Sequence, residues 1–417
     1  MGSTSYWQAE LHHSQIADKA RLKVGPLEGD CESEVAIVGA GITGTAAALW
    51  LARAGLSVRV LEGRQIAAGA SGRNAGFITG TTGEKYATVV SRYGRARARR
   101  LWNFHVHNAR LATGILAELD QLGWQCDYRS EGMLGLAANE DEMSEVTASA
   151  ALLNEDGWPT QIVTREALPK HIQAAYTGGI YHPDSAELQP ARFVNGVALL
   201  AQQAGAMLHE ETPVLSLAES EGGVILTTPR GTVHAGKLVL ATNAWLPDMG
   251  AMLGAQWLEQ CITPTRGQVI ATEPVEEKIF PCPCSANEGY QYWRQLSDGR
   301  LVVGGWRNTS FATEATMDET PNEPVQRHLD AFVHETLGLA GVGIAARWAG
   351  IMAFTADGMP LIGRLPGSRC CYLAGGYTGH GNASALEAAQ IISEMVQGRE
   401  HPEADLFDPG RFVTDEA

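Results

Sequence analysis

The chain has 417 residues, 45% of them hydrophobic and 19% charged, and a formal charge of −16. That balance describes a folded chain long enough for two domains rather than a disordered one. So acidic a surface repels phosphate backbones and anionic lipid, which argues against nucleic acid and membrane surfaces as partners.

The opening "MGSTSYWQAELHH" lacks the charged-then-apolar pattern of a signal peptide, and no apolar run approaches the ~18 residues of a membrane span. Seven cysteines, an odd number without a disulfide-framework spacing, predict a reduced, cytoplasmic chain. Cys282 and Cys284 have no second pair at a zinc-like distance, so no metal is expected.

The first strong signal is "VAIVGAGITGTAAALWLARAGLSVRVLEG". Glu34 to Val38 reads as a buried parallel strand. Thr43 to Arg53 reads as a helix stopped by Gly55, and Ser57 to Leu61 as a second strand ending on Glu62. Gly39 allows a tight turn, Gly41 lets the backbone approach a pyrophosphate, and Gly44 lets the helix lie close on the strand. The helix start at Ile42 and Thr43 offers N–H groups and a positive dipole end to phosphates. Glu62, eighteen residues beyond Gly44, is placed to accept from an adenosine ribose and would repel a 2′-phosphate. This unit predicts a dinucleotide and leaves FAD and NAD both open. The following "GRQIAAGASGRNAGF" favours FAD, because its small residues permit close approach to a cofactor extending beyond the first helix.

Further along, "RYGRARARR" (92–100) is expected to be a solvated helix face, and Asn103 to Leu122 has helical spacing. Glu131–Ala137 and Gly179–His182 read as strands, Arg192–Ala206 as a helix ending near Gly205, "MLHEETPVLSLAES" as one strand, and Lys237–Ala244 as a buried strand. "TPTRGQVIATE" and "YQYWRQLSDGRLVVGGW" alternate as hairpins do. Tyr290, Tyr292 and Arg294, at i, i+2 and i+4, would share one strand face. Near the end, "CCYLAGGYTGHGNASALEAAQIISEMVQG" is a strand, a glycine turn and a helix starting near Asn382 or Ser384. Ser384 and Glu387 have capping-box spacing. Gly376, Gly379 and Gly381 allow close backbone approach, His380 adds a donor, and free N–H groups at the helix start would favour an anion on reduced flavin.

The order "GAGITG", "GASGRNAG", "VLATNAW" and "GGYTGHGN" resembles the D-amino-acid oxidase superfamily of FAD enzymes. The aromatic opening Ser5-Tyr6-Trp7, Tyr292 through Leu301, and Arg347-Trp348-Ala349-Gly350 resemble its γ-glutamylputrescine oxidase branch. The resemblance implies an α/β plus α+β fold. A Rossmann-like FAD domain of the glutathione-reductase type (1–88, 186–246 and 346–417) would receive an inserted antiparallel-sheet substrate domain (89–185 and 247–345). It implies FAD contacts from Gly63, Ala70, Ser71, Arg73, Asn74, Ala75 and Gly76, from the backbone of Val214, from Ala241, Thr242 and Trp245, and from Tyr377, Thr378 and the glycines around them.

The chemistry implied is hydride transfer from an amine C–H to flavin, followed by imine hydrolysis, with O2 or another acceptor reoxidising the cofactor. The alternatives are a flavin dehydrogenase of N-substituted amino acids or imino acids with a non-oxygen acceptor, and a non-catalytic FAD-binding partner protein. The positions that tether flavin in related enzymes fall here at Gly350 and Arg73, so a non-covalent FAD is expected. The arginine that holds an α-carboxylate in glycine oxidase falls at Met352, and the sarcosine-oxidase lysines fall at Ala383 and near Val302. A plain amine, or a substrate with a remote carboxylate, is therefore favoured. Tyr290, Tyr292, Arg294, Trp306 and His380 are the candidate substrate-side residues, with Trp348 and Phe354 as possible walls.

Overall fold

The computed structural model describes residues 3–13 and 21–413. The strand Cys31–Val38 lies parallel to Val58–Leu61 on one side and to Gly231–Leu240 on the other, with Val38 opposite both Leu61 and Leu240. Beyond them lie Met207–His209 at one edge, and Cys371–Gly375 and Leu361–Arg364 at the other. Val35 and Ile37 pack with the helix Ile42–Arg53, and Ala36 and Val38 join a second cluster on the opposite face. Burial on both faces explains why this strand reads as a run rather than an alternation. The helices Pro190–Gln203 and Ala385–Val396 flank Ile42–Arg53, and all three bury alanine-rich faces that permit close approach.

A second eight-stranded sheet runs in the order Ile344–Thr355, Ile262–Thr272, Leu301–Gly305, Gln291–Gln295, Cys284–Ala286, Met133–Ala137, Gly178–His182 and Gln161–Thr164. All its pairings are antiparallel except Cys284–Ala286 with Met133–Ala137. The helix Glu323–Ala331 and the turn after it cover one face, packing Val325, Leu329 and Phe332 with Trp293 and Val303. The other face meets the loops that leave the C-terminal ends of the first sheet's parallel strands.

Four local readings differ from the structure. The expected strand 207–220 is two strands, Met207–His209 and Ser216–Ser220, in separate ladders. Glu211 at φ 49° and Pro213 interrupt it, because neither can continue a ladder. The strand expected at Lys237–Ala244 spans Gly231–Leu240 and stops three residues before Asn243, which opens the next turn at φ 49°. The long helix begins at Arg95, directly after Gly94, and runs 27 residues to Gln121. Its arginines form the solvated face expected of them, paired at the surface: Arg95 with Glu155 and Asp156, Arg99 with Asp156, and Arg100 with Glu403 and Asp405. Finally, residue 346, the expected return to the cofactor domain, lies inside Ile344–Thr355, which pairs with Ile262–Thr272 in the second sheet. The chain rejoins the first sheet at Leu361.

Candidate active site between the two sheets

A cavity of about 780 Å³ runs from the C-terminal ends of the first sheet's parallel strands to the underside of the second sheet. At its first end, Gly39 takes φ 103°, and a Cβ there would lie 2.7 Å from the Ala241 carbonyl oxygen. A Cβ on Gly44 would lie 1.9 Å from the Gly39 carbonyl, so Gly44 sets the approach of helix to strand and is not itself part of the wall. Gly41 is in the wall, and a Cβ there would meet Ser71 Oγ at 2.9 Å. Ser71 Oγ already accepts from the Ile42 N–H at 3.0 Å, which ties the loop after the second strand to the helix start.

Glu62 is held by two backbone donors, the N–H groups of Ala40 and Arg64, each at 2.8 Å. Burial raises its pKa, and those two N–H groups oppose the rise. Gly63, Val214, Ala241, Thr242 and Trp245 line the same end, with Arg64 stacked 5.3 Å over the Trp245 ring. Thr242 Oγ1 is buried with no hydrogen-bond partner among the described residues. A glycine-floored groove, a fixed carboxylate and an orphan hydroxyl suit the adenosine and pyrophosphate of an extended dinucleotide.

The middle of the cavity is walled by Thr43 and by Ala70, Ser71, Arg73, Asn74, Ala75 and Gly76. Thr43 Oγ1 and Tyr377 Oη lie 2.8 Å apart, joining the first glycine turn to the last across 334 positions. Asn74 and Asn382 exchange side-chain hydrogen bonds of 3.3 and 2.8 Å. Arg73 is buried, and donates to the Ala68 and Ala349 carbonyls at 2.8 Å each. Its Nη2 lies 3.4 Å from Glu319. Gly350 faces Arg73, and a Cβ there would lie 3.0 Å from Arg73 Cβ. The two positions matching flavin-tethering residues thus pack against each other.

Tyr377, Thr378, Gly379, His380 and Gly381 border the far end. Gly376 stands behind them at φ 71°, its N–H donating to Asn243 Oδ1 at 3.2 Å. The helix that follows begins at Ala385, and the Ser384–Glu387 capping box does not form. Asn108, fully buried on the long helix, accepts instead from the N–H groups of Leu386 (2.9 Å) and Glu387 (3.3 Å). These two N–H groups are therefore not free to face an anion, contrary to the expectation for this helix start. His380 Nδ1 is 2.9 Å from the Thr378 carbonyl, which makes it the protonated nitrogen and leaves Nε2 with its lone pair. Burial lowers the His380 pKa, with nearby Arg307 adding to the effect.

The roof of this end is formed by Tyr290, Tyr292, Met352 and Phe354. Tyr290 precedes the strand Gln291–Gln295 rather than belonging to it. Burial pushes the Tyr292 hydroxyl up to about 12. Two candidates are not brought here. Arg294 is buried behind the Gly76 backbone, outside the cavity wall. It donates to the Leu188 carbonyl at 2.9 Å, lies 3.6 Å from Glu187 and stacks 4.8 Å over Trp7. Desolvation pulls its pKa down to about 10. Trp306 turns into the outer core against Phe332, 5.0 Å between centroids. Trp348 is likewise buried outside the cavity, donating from Nε1 to the Arg73 carbonyl.

Sequence reasoning passed over Arg307, whose guanidinium faces the cavity 4.5 Å from the Tyr290 ring and 4.3 Å from the Phe354 ring. The available signal was its place directly after Gly304-Gly305-Trp306.

A family model described as FAD dependent oxidoreductase (DAO) matches residues 34–395, from the first strand to the last helix. The chain belongs to the DAO family. It is 28% identical over 414 residues to gamma-glutamylputrescine oxidoreductase of Escherichia coli (strain K12), covering 95% of this chain and 91% of that protein. It is 27% identical to glycine oxidase of Geobacillus kaustophilus, covering 88% and 93%. Among solved structures, L-proline dehydrogenase from P. horikoshii superposes with a TM-score of 0.78 at 23% identity, over 93% of this chain and 98% of that one. This DAO-family chain is thus an FAD-dependent amine or amino-acid oxidoreductase. No helix among the described residues is long and apolar enough to cross a membrane.

Proposed function

We propose that this chain oxidises the C–N bond of an amine that binds beneath the second sheet, with FAD held non-covalently along the cavity. The reading rests on one observation: a single cavity joins the Gly39–Glu62 groove to a pocket bordered by Tyr290, Tyr292 and His380. Bound FAD would supply a two-electron acceptor. Gly39, Gly41, Ser71 and Glu62 would fix its dinucleotide end, and Tyr377 to Gly381 would fix its ring end. The tyrosines and Phe354 shape the substrate's seat and exclude water, which favours the neutral amine that must react. His380 Nε2, a lone pair on an imidazole kept neutral by burial, is a proton acceptor in the wall at the far end.

The substrate proposed is a secondary or primary amine of the γ-glutamylputrescine kind, and the acceptor proposed is O2, giving H2O2. The relatives that carry these activities support both choices. The test is anaerobic mixing of the yellow protein with a panel of polyamine derivatives and N-substituted amino acids. Bleaching, followed on admission of air by recovery and peroxide, is the expected result. Bleaching that recovers only with a quinone or acceptor protein would assign dehydrogenase chemistry instead. No bleaching with any amine would overturn the reading.

A further inference from the structure

The structure assigns Arg307 as the group that binds a carboxylate of the substrate, so that the amine oxidised here carries an acid function. This rests on the cavity being the site of amine oxidation. The buried or half-buried arginines Arg73, Arg192, Arg266 and Arg294 each face a carboxylate: Glu319, Asp127 and Glu10, Glu314, and Glu187. Arg307 faces none among the described residues, although burial is sufficient to lower its pKa from the usual value. Its neighbours are rings: Tyr290, Phe354 and, at 5.7 Å, Phe311. Aromatic faces hold the plane of the guanidinium by cation–π attraction; the Tyr290 hydroxyl takes part of its hydrogen-bonding edge, and no carboxylate among the described residues takes the rest. A planar guanidinium walled by rings and lacking a carboxylate partner among the described residues is complementary to a substrate carboxylate, which it can grip through parallel hydrogen bonds.

The backbone is built to present it. Gly305 takes φ 121°, where a Cβ would strike the Tyr290 carbonyl oxygen at 2.0 Å. Trp306 then takes φ 57°, a left-handed conformation rare for a bulky residue, and its N–H donates to the Tyr290 carbonyl at 2.7 Å. The turn sends the Trp306 ring outward to Phe332 and Arg307 inward. On the same wall stands Met352, the position at which the resemblance places the carboxylate-binding arginine of glycine oxidase. The cation here therefore comes from a different strand end, beyond Leu301–Gly305 rather than within Ile344–Thr355.

The test uses the FAD-loaded protein and the flavin absorption band, titrated with benzoate and propionate and, as a neutral isostere, benzamide. The expected result is a saturable shift of the band with at least one carboxylate, weakened about 30-fold in Arg307→Met, with benzamide binding altered less than about threefold. Arg307→Lys, which keeps the charge without the fork, is expected to weaken the carboxylate about fivefold, and it reads the same contrast if the methionine variant loses flavin. No shift with either carboxylate, or equal binding by wild type and both variants, would overturn the assignment. Failure of the broader reading looks different: no amine bleaches the flavin, yet benzoate still binds through Arg307.

Discussion

The two ends of the cavity are made in different ways. At the end that holds Gly39 and Glu62, the floor is glycine backbone whose missing Cβ makes room, drawn from Gly39 to Gly63 and closed by Val214, Ala241, Thr242 and Trp245. At the roof the contacts come from side chains on separate strands and turns, and Arg307 enters only because Trp306 is held at φ 57°. A glycine groove fails when anything is added to it. A side-chain pocket fails one function at a time.

The largest expected effect tests the first statement. Gly41→Val places a branched side chain where even a Cβ would be 2.9 Å from Ser71 Oγ. We expect a colourless protein that folds but does not retain FAD, read from the visible spectrum after desalting. Retention of full yellow colour would show that the groove is not where FAD binds.

Arg294, buried outside the cavity, and Arg307, in its wall, are expected to respond differently. Arg294→Met leaves Arg129 as the one cationic partner of Glu187 among the described residues and removes the stack on Trp7. Breaking a buried ion pair costs roughly 3–5 kcal/mol of stability. We expect a much lower Tm with no change in preference between carboxylate-bearing and neutral ligands. A change of preference without loss of stability would return Arg294 to the binding site.

The third prediction concerns the helix that follows the last glycine turn. Glu387 is buried on it, with His107 Nδ1 and His401 Nε2 each 3.6 Å away, and burial raises its pKa from 4.5 to about 7. The folded state therefore holds this proton more tightly than the unfolded chain. Stability from this group is present below about pH 4.5 and is lost as pH rises towards 7, by on the order of 3 kcal/mol. Glu387→Gln is expected to flatten the dependence of denaturation midpoint on pH across that window. An unchanged slope would mean that the carboxylate is ionised in the fold throughout.

The smallest effect is Asn108→Ala, which removes the acceptor for the Leu386 and Glu387 N–H groups. Loss of such a cap costs about 1 kcal/mol. Because the cap anchors the helix behind Tyr377–Gly381, we also expect a measurable weakening of FAD binding. A stability loss with unaltered FAD affinity would confine Asn108 to packing.

The sequence by itself determined the first strand, the glycine turn, the helix after it, Glu62 and the final strand–turn–helix. These are local: a period, a missing side chain and a carboxylate at a fixed distance along one chain segment specify them without reference to anything remote. It also placed Tyr290, Tyr292 and His380 among the residues to examine. Tertiary structure alone decided which of two arginines thirteen positions apart faces the cavity, since a two-residue periodicity takes no account of a left-handed residue that reverses the side-chain order. It likewise decided that Asn108, rather than Ser384, caps the last helix, because a cap donated from another helix leaves no spacing to read. Contacts that close within a turn are written in the order of residues; contacts between elements exist only once the sheets have packed and a buried charge or N–H must take the partner that packing brings to it.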